Sequence, residues 1–215
     1  GTPSASATWS AGLVAQIERQ QQLIRGPQFT STSVFPELAL FNCYSCHRSM
    51  RLERWRDKGA GGLAPGSLRF DDGSLRMFEA LIAARKPAEL GAFRDRVRAL
   101  ELAATGARAV VISESEALTR RVRALDAEIT ARAWTRPQVR AALDYLIAGA
   151  TRGDYPDYAA AEQAAMSIVV LRAELGGRLA DEPVVDELFS ALTDDDTYDA
   201  ARFRRILGRL DAGGP

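Results

Sequence analysis

The chain has 215 residues, and its 28 lysines and arginines balance its 28 aspartates and glutamates. Because the net charge is zero, no general field attracts nucleic acid or an anionic membrane surface, so nucleic-acid binding is not expected. No apolar run approaches the roughly 20 residues of a membrane-spanning helix, and the length suits one domain, or two small ones.

The sequence pattern predicts an all-α fold, a helical bundle of about eight or nine helices in one domain over residues 1–215. Ala, Leu, Arg and Glu dominate, and alternating β-branched runs are short. Residues 1–7 are predicted to be a flexible leader, and since the chain starts with Gly1 and not Met, we expect that an export signal or anchor was removed. A first helix is predicted over residues 9–25, and Gly26-Pro27 ends it.

The next stretch is predicted as a helix, a loop and two further helices. Pro36 is suited to the first position of a helix that extends to about Lys58. Residues 59–73 are rich in glycine and are predicted to form a loop. A third helix is predicted over residues 74–86, and Pro87 is predicted to open a fourth that ends near residue 104.

The remaining chain is also predicted to be helical. Ser113 and Glu116 have the spacing of a capping box, which predicts a helix from there to about residue 134. Thr193 and the acidic residues that follow it are predicted to cap a last helix. The helices expected between these two cover residues 137–149, 154–175 and 184–192. The short connections favour a bundle.

Residues 43–47 read Cys-Tyr-Ser-Cys-His and contain both cysteines and the only histidine of the chain. This is the Cys-x-x-Cys-His pattern of c-type haem attachment. Two thiols at this spacing can add to the two vinyl groups on one edge of the macrocycle, and the adjacent imidazole then lies under the iron. The sequence therefore predicts one covalently bound haem c, with Cys43 and Cys46 as attachment points and His47 as an axial metal ligand.

Other interpretations of these five residues fit less well. A thioredoxin-like dithiol motif is expected in a βαβ setting, and no strand is predicted before it. A closed zinc site needs about four protein ligands, so a carboxylate would have to join the two cysteines and the histidine. A chance occurrence would rarely place every cysteine and the only histidine in one pentapeptide.

Few side chains of this sequence are candidates for the sixth iron ligand. With one histidine in the chain, bis-histidine ligation within one chain is excluded. Met50 follows His47 by three residues and shares its helix face, so it is expected to pack against the ring or the core. Met166 lies in an apolar helical stretch and is expected to fill the core.

Met77 is the favoured sixth ligand, thirty residues after His47 and beyond the glycine-rich loop. Methionine at that position raises the reduction potential and suits electron transfer. Alternatively, Met77 is a residue of the buried apolar face of its helix. An open sixth position also remains possible, as does ligation by Lys58, Lys86, Met166 or a tyrosine.

Cationic side chains near the motif are expected to pair with the haem propionates. The candidates are Arg48, Arg51, Arg54, Arg56 and Arg69. For any single one of them, the simpler expectation is a solvated helix face.

With this motif the chain resembles the monohaem c-type cytochromes, in the pentapeptide itself and loosely over residues 36–104. The resemblance implies that the haem is attached after export, in the periplasm or elsewhere outside the cytoplasm. Electron transfer predicts a redox protein as the partner. The chain departs from the family in its length and in lacking a clear Gly and aromatic pattern ahead of the motif.

Electron transfer is the favoured function, and an electron carrier or haem sensor is favoured over an enzyme. The alternative is a haem-based sensor of small ligands, with an open or displaceable sixth position. A peroxidase-type enzyme is less favoured because no histidine is left as the distal acid–base group. A cytochrome subunit of a larger complex and a homo-oligomer are further possibilities.

Overall fold

A computed structural model describes residues 3–27, 41–42, 69–104, 106–177 and 183–212. Among these residues there are eight α-helices, and the β pairing is limited to one isolated bridge. The helices are α1 (Ala5–Arg25), α2 (Gly73–Arg85), α3 (Leu90–Ala103), α4 (Arg108–Thr130), α5 (Arg136–Arg152), α6 (Tyr158–Glu174), α7 (Pro183–Ser190) and α8 (Ala200–Ala212), with a 3-10 turn at Pro87–Glu89 before α3. The all-α prediction is confirmed for this part of the chain.

Helix α2 lies at the centre of the bundle, where it contacts α1, α3, α5 and α6. It is buried on nearly all sides, because small and apolar residues follow one another along it. Phe78 of α2 packs against Phe93 of α3, with ring centroids 5.5 Å apart. A helix that is buried on nearly all sides is a core element, and α2 is the helix that carries Met77.

Helix α1 begins at Ala5, earlier than predicted, and part of the predicted flexible leader is therefore helical. The Ser4 hydroxyl accepts a hydrogen bond from the Ala7 N–H. The Ser6 hydroxyl donates to the Glu174 carboxylate of α6 at 2.9 Å. The first bond satisfies a free N–H group of the first turn, and the second ties that turn to α6.

The predicted capping box at Ser113 is wrong. Ser113 lies inside α4, which begins at Arg108. A capping box instead starts α5, where the Thr135 N–H donates to the Gln138 side chain at 3.1 Å. Both sites have a hydroxyl three residues before a Glu or Gln, so the motif alone does not locate the helix start.

The predicted cap of the last helix is also wrong, because α8 starts only at Ala200. The acidic residues 194–196 lie in the turn before it. The Asp199 carboxylate accepts a hydrogen bond from the Ala201 N–H at 2.8 Å instead. An aspartate directly before the first turn provides the same favourable charge for the N-terminal end of the helix dipole.

Candidate functional site

The predicted haem attachment residues Cys43, Cys46 and His47 lie outside the described residues. The same is true of Met50 and Lys58, and of Arg48, Arg51, Arg54 and Arg56. Of the residues predicted at or near the site, the structure describes Met77, Arg69 and the alternative ligands Lys86 and Met166.

We call residues 43–68 the motif segment. The described residues directly before and after it contact each other. Phe41 and Phe70 form an isolated antiparallel bridge, and the Asn42 N–H donates to the Arg69 carbonyl at 2.8 Å. The two phenyl rings stack with centroids 4.6 Å apart, and both are buried. Phe41 and Asn42 are therefore extended, so the helix predicted from Pro36 is wrong at these two residues. Asn42 and Arg69, the described residues on either side of the motif segment, are therefore adjacent in the fold.

Met77 lies in α2 with its side chain fully buried. It is part of the hydrophobic core, seven residues after Phe70. Met166, in contrast, has 54% of its surface exposed, so the prediction that it fills the core is wrong. Its neighbours Ala165 and Ser167 are buried, and the face of α6 that carries Met166 points outward.

A buried cluster of charges begins at Arg69, directly before Phe70. The Asp72 carboxylate accepts hydrogen bonds from Arg69 at 2.9 Å and from Arg76 at 2.5 Å. On α3, the Glu101 carboxylate lies 3.9 Å from the Arg69 Nε atom. Arg76 is also 3.9 Å from Asp154, which precedes α6. We call Arg69, Asp72, Arg76 and Glu101 the buried charge cluster.

The two carboxyl groups of the cluster differ in acidity. Burial would raise the pKa of Asp72, but the charges of Arg76 and Arg69 lower it below its ordinary value. Burial, and after it the nearby charge of Asp72, raises the pKa of Glu101 to about 7, although the charges of Arg69 and Arg76 act in the opposite direction. Both arginines bond Asp72, so Glu101 has weaker compensation for its charge.

A cavity of about 340 Å³ adjoins the buried charge cluster. It lies between α2, α3 and the connection from α5 to α6, and side chains of both charges line it. On one wall, the Glu79 carboxylate accepts hydrogen bonds from Arg94 at 2.9 Å and from Tyr145 at 2.6 Å. The cavity thus joins the buried cluster to the more exposed Arg94.

Three buried polar atoms of the cluster have no hydrogen-bond partner among the described residues. They are Arg69 Nε, Arg76 Nε and Glu101 Oε1. Buried N–H donors of cationic groups fit a carboxylate, which is the polar group that a haem presents at its propionate edge. The residues present are therefore compatible with a haem at this point of the fold.

Sequence reasoning found Arg69 as a cationic partner but missed the rest of the cluster. The spacing of Asp72 and Arg76 is that of an ion pair on one helix face, which is a signal that could have been used. Glu101 carries no such local signal, because it comes to Asp72 only through the packing of α3 against α2.

Comparisons with protein-family models, with curated proteins and with solved structures find no match. Among the described helices, none combines the length and the apolar character that crossing a membrane requires.

Proposed function

We propose that this chain is a monohaem c-type cytochrome that transfers electrons outside the cytoplasm. Haem c would be attached to Cys43 and Cys46, with His47 and Met77 as iron ligands. The observation that carries the proposal is the pentapeptide, which contains every cysteine and the only histidine of the chain. The bound haem supplies the one-electron chemistry, while the polypeptide attaches it, provides the axial ligands and adjusts the local electrostatics.

The Phe41–Phe70 pair supports the proposal, because it provides a fixed point next to the motif. Cys43 follows Asn42, whose N–H is bonded to the Arg69 carbonyl. A stacked and buried aromatic pair resists displacement. The motif segment therefore begins and ends at a rigid part of the fold, which limits where an attached group can lie.

Met77 is within reach of a group attached at this point. From Phe70 to Gly73 the chain advances three residues, at ~3.5 Å each when extended. From Gly73 to Met77 it advances four helical residues at about 1.5 Å each. The Cα atoms of Phe70 and Met77 are therefore at most about 17 Å apart. Cys43 is two residues from Phe41, the partner of Phe70. This short path along the chain supports the proposal that Met77 is the second iron ligand.

The buried charge cluster also supports the proposal. The unpartnered Arg69 Nε and Arg76 Nε atoms are donors of the kind that would hold a propionate. Arg69 is the first described residue after the motif segment. A haem attached at Cys43 and Cys46 would thus have cationic donors close to its anchor.

A haem sensor with an open or displaceable sixth position is a second candidate function. It is favoured by the complete burial of Met77 among the core residues of α2. If the thioether stays in that packing, the sixth position is left for a small external ligand.

Carbon monoxide binding by the reduced protein separates these two functions. Met77→Leu keeps the volume of the core and removes the sulfur, so the fold should be retained. With Met77 as a ligand, the reduced wild-type protein does not bind carbon monoxide and the Met77→Leu protein does. Met166→Leu is the matched control on an exposed methionine and should behave as wild type. Ready binding by the wild-type protein would reject ligation by Met77 and support the sensor.

A further inference from the structure

Glu101 is a buried acid that the described residues leave incompletely bonded. Its side chain is 4% exposed, and its Oε1 atom is buried and accepts no hydrogen bond from them. It forms an ion pair with Arg69 at 3.9 Å, which is longer than a hydrogen bond, and Arg69 donates to Asp72 instead. A buried carboxylate oxygen without a donor is unfavourable, so a cationic group that donates to it would be stabilised there.

Glu101 lines the cavity between α2, α3 and the connection from α5 to α6. Its volume of about 340 Å³ falls in the range of small-molecule sites. Leu75 and Val97 give the cavity an apolar part. Asp95 and Arg98, which also line it, are exposed, so the cavity opens to solvent. A small molecule can therefore reach Glu101.

Most of the charged side chains that line the cavity are paired with a side chain of opposite sign. The pairs are Arg76 with Asp72, Arg94 with Glu79 and Arg152 with Asp154. The exposed Asp95 and Arg98 add one charge of each sign. When Glu101 is ionised, its carboxylate is therefore the one negative charge in excess at the cavity wall.

This excess charge favours a cation that needs only one carboxylate. Among the described residues, the acidic side chains that lie close enough together to share a metal ion are residues 194–196, outside this cavity. A primary ammonium group needs no such cluster, because it carries its charge on three N–H donors. A short alkyl chain on that group would contact Leu75 and Val97 and lose water from its apolar surface.

We infer that the cavity is a binding site for a small primary ammonium compound. The ammonium group donates to Glu101 Oε1, and the alkyl part lies against Leu75 and Val97. The residues assigned to the site all lie outside the motif segment, so the site does not depend on haem attachment. A ligand of about five non-hydrogen atoms is expected to bind with a Kd on the order of 1 mM.

Thermal unfolding of the full chain with added n-butylammonium tests the site. At about pH 8, above the raised pKa of Glu101, this group is a carboxylate. Because the ligand binds the folded state, about 20 mM n-butylammonium should raise the Tm of the wild-type protein by about 4–7 °C. The same concentration of 1-butanol, which has no charge, or of tetramethylammonium, which has no N–H donor, should not raise it.

Three variants locate the binding, each from its own dependence of Tm on n-butylammonium. Glu101→Gln keeps the shape of the side chain and removes its charge, so binding should weaken about 10- to 100-fold. Glu116→Gln is the matched control on an exposed glutamate of α4 and should bind as wild type. Val97→Phe keeps every charge and fills part of the cavity, so it should also lose binding.

No rise in the Tm of the wild-type protein, an equal rise in Glu101→Gln or an undiminished rise in Val97→Phe overturns the inference. Tetramethylammonium that stabilises the wild-type protein as much as n-butylammonium does also overturns it, because the effect would then need no N–H donor. A chain that carries no haem and is stabilised by n-butylammonium through Glu101 would refute the proposed function and support this site. A haem-bearing chain without that stabilisation would do the reverse.

Discussion

Phe41 and Phe70 stack face to face across an antiparallel bridge, with ring centroids 4.6 Å apart and an angle of 17° between the rings. Phe41 lies two residues before Cys43, and Phe70 lies seven residues before Met77. This one contact therefore holds the residues directly before Cys43 beside the residues that lead into the helix of Met77.

Phe70→Ala should destabilise the protein by about 3–5 kcal/mol, the usual range for truncating a buried phenylalanine. Phe70 is 3% exposed and contributes its ring to the stack. Urea unfolding followed by circular dichroism measures the change. Phe189→Ala on α7 is the control, because Phe189 is 39% exposed and should cost much less. Equal losses in the two variants would show that the stack is not a major contact.

The stability of the protein should fall with rising pH between about 4.5 and 7 because of Glu101. Its pKa is raised by burial from 4.5 to about 7, so the folded state binds a proton that the unfolded state has lost in this interval. The stabilising contribution is full below the unfolded value and is lost as the pH rises through the folded one. A shift of this size corresponds to ~3 kcal/mol.

Glu101→Gln removes this dependence, so it should be more stable than wild type at pH 8 and similar near pH 4.5. Denaturant unfolding at both pH values measures the difference between the two proteins. A difference that is constant with pH would mean that Glu101 has the same acidity in the folded and unfolded states.

Gly149→Ala should destabilise α5 by about 1–3 kcal/mol, the range for overpacking a core. A Cβ atom at Gly149 would lie 2.8 Å from the Tyr155 Cζ atom. Tyr155 is held in place, because its hydroxyl donates to the Leu146 carbonyl at 2.6 Å. Thermal unfolding measures the change, and Gly91→Ala is the control substitution. Gly91 has nothing within 4 Å of a new Cβ atom, so alanine there should stabilise α3.

Local sequence signals were enough for several helices. Apolar runs and Pro87 predicted α2 and the start of the next helical segment to within a residue. Helix α6 ends within a residue of the predicted end at residue 175. Gly176 follows it with a φ of 88°, a conformation that glycine adopts at little cost. These features depend on a few adjacent residues.

The features that the sequence did not reveal depend on contacts between distant residues. Phe41 pairs with Phe70 across the whole motif segment, and Pro36 with its apolar neighbours favours a helix locally. Asp72 and Glu101 meet only because α2 and α3 pack together. Met166 was assigned to the core from its apolar surroundings, although Ala161, Ala164 and Ile168 form the buried face of α6.

Covalent haem attachment tests the central claim most directly. The full chain should be exported in a host that matures c-type cytochromes, then denatured and reduced in alkaline pyridine, with a double variant Cys43→Ser and Cys46→Ser as the control. We expect one haem per wild-type chain that stays with the polypeptide on denaturation, and none in the double variant. A wild-type chain that folds and carries no covalent haem would contradict the assignment of this protein as a c-type cytochrome.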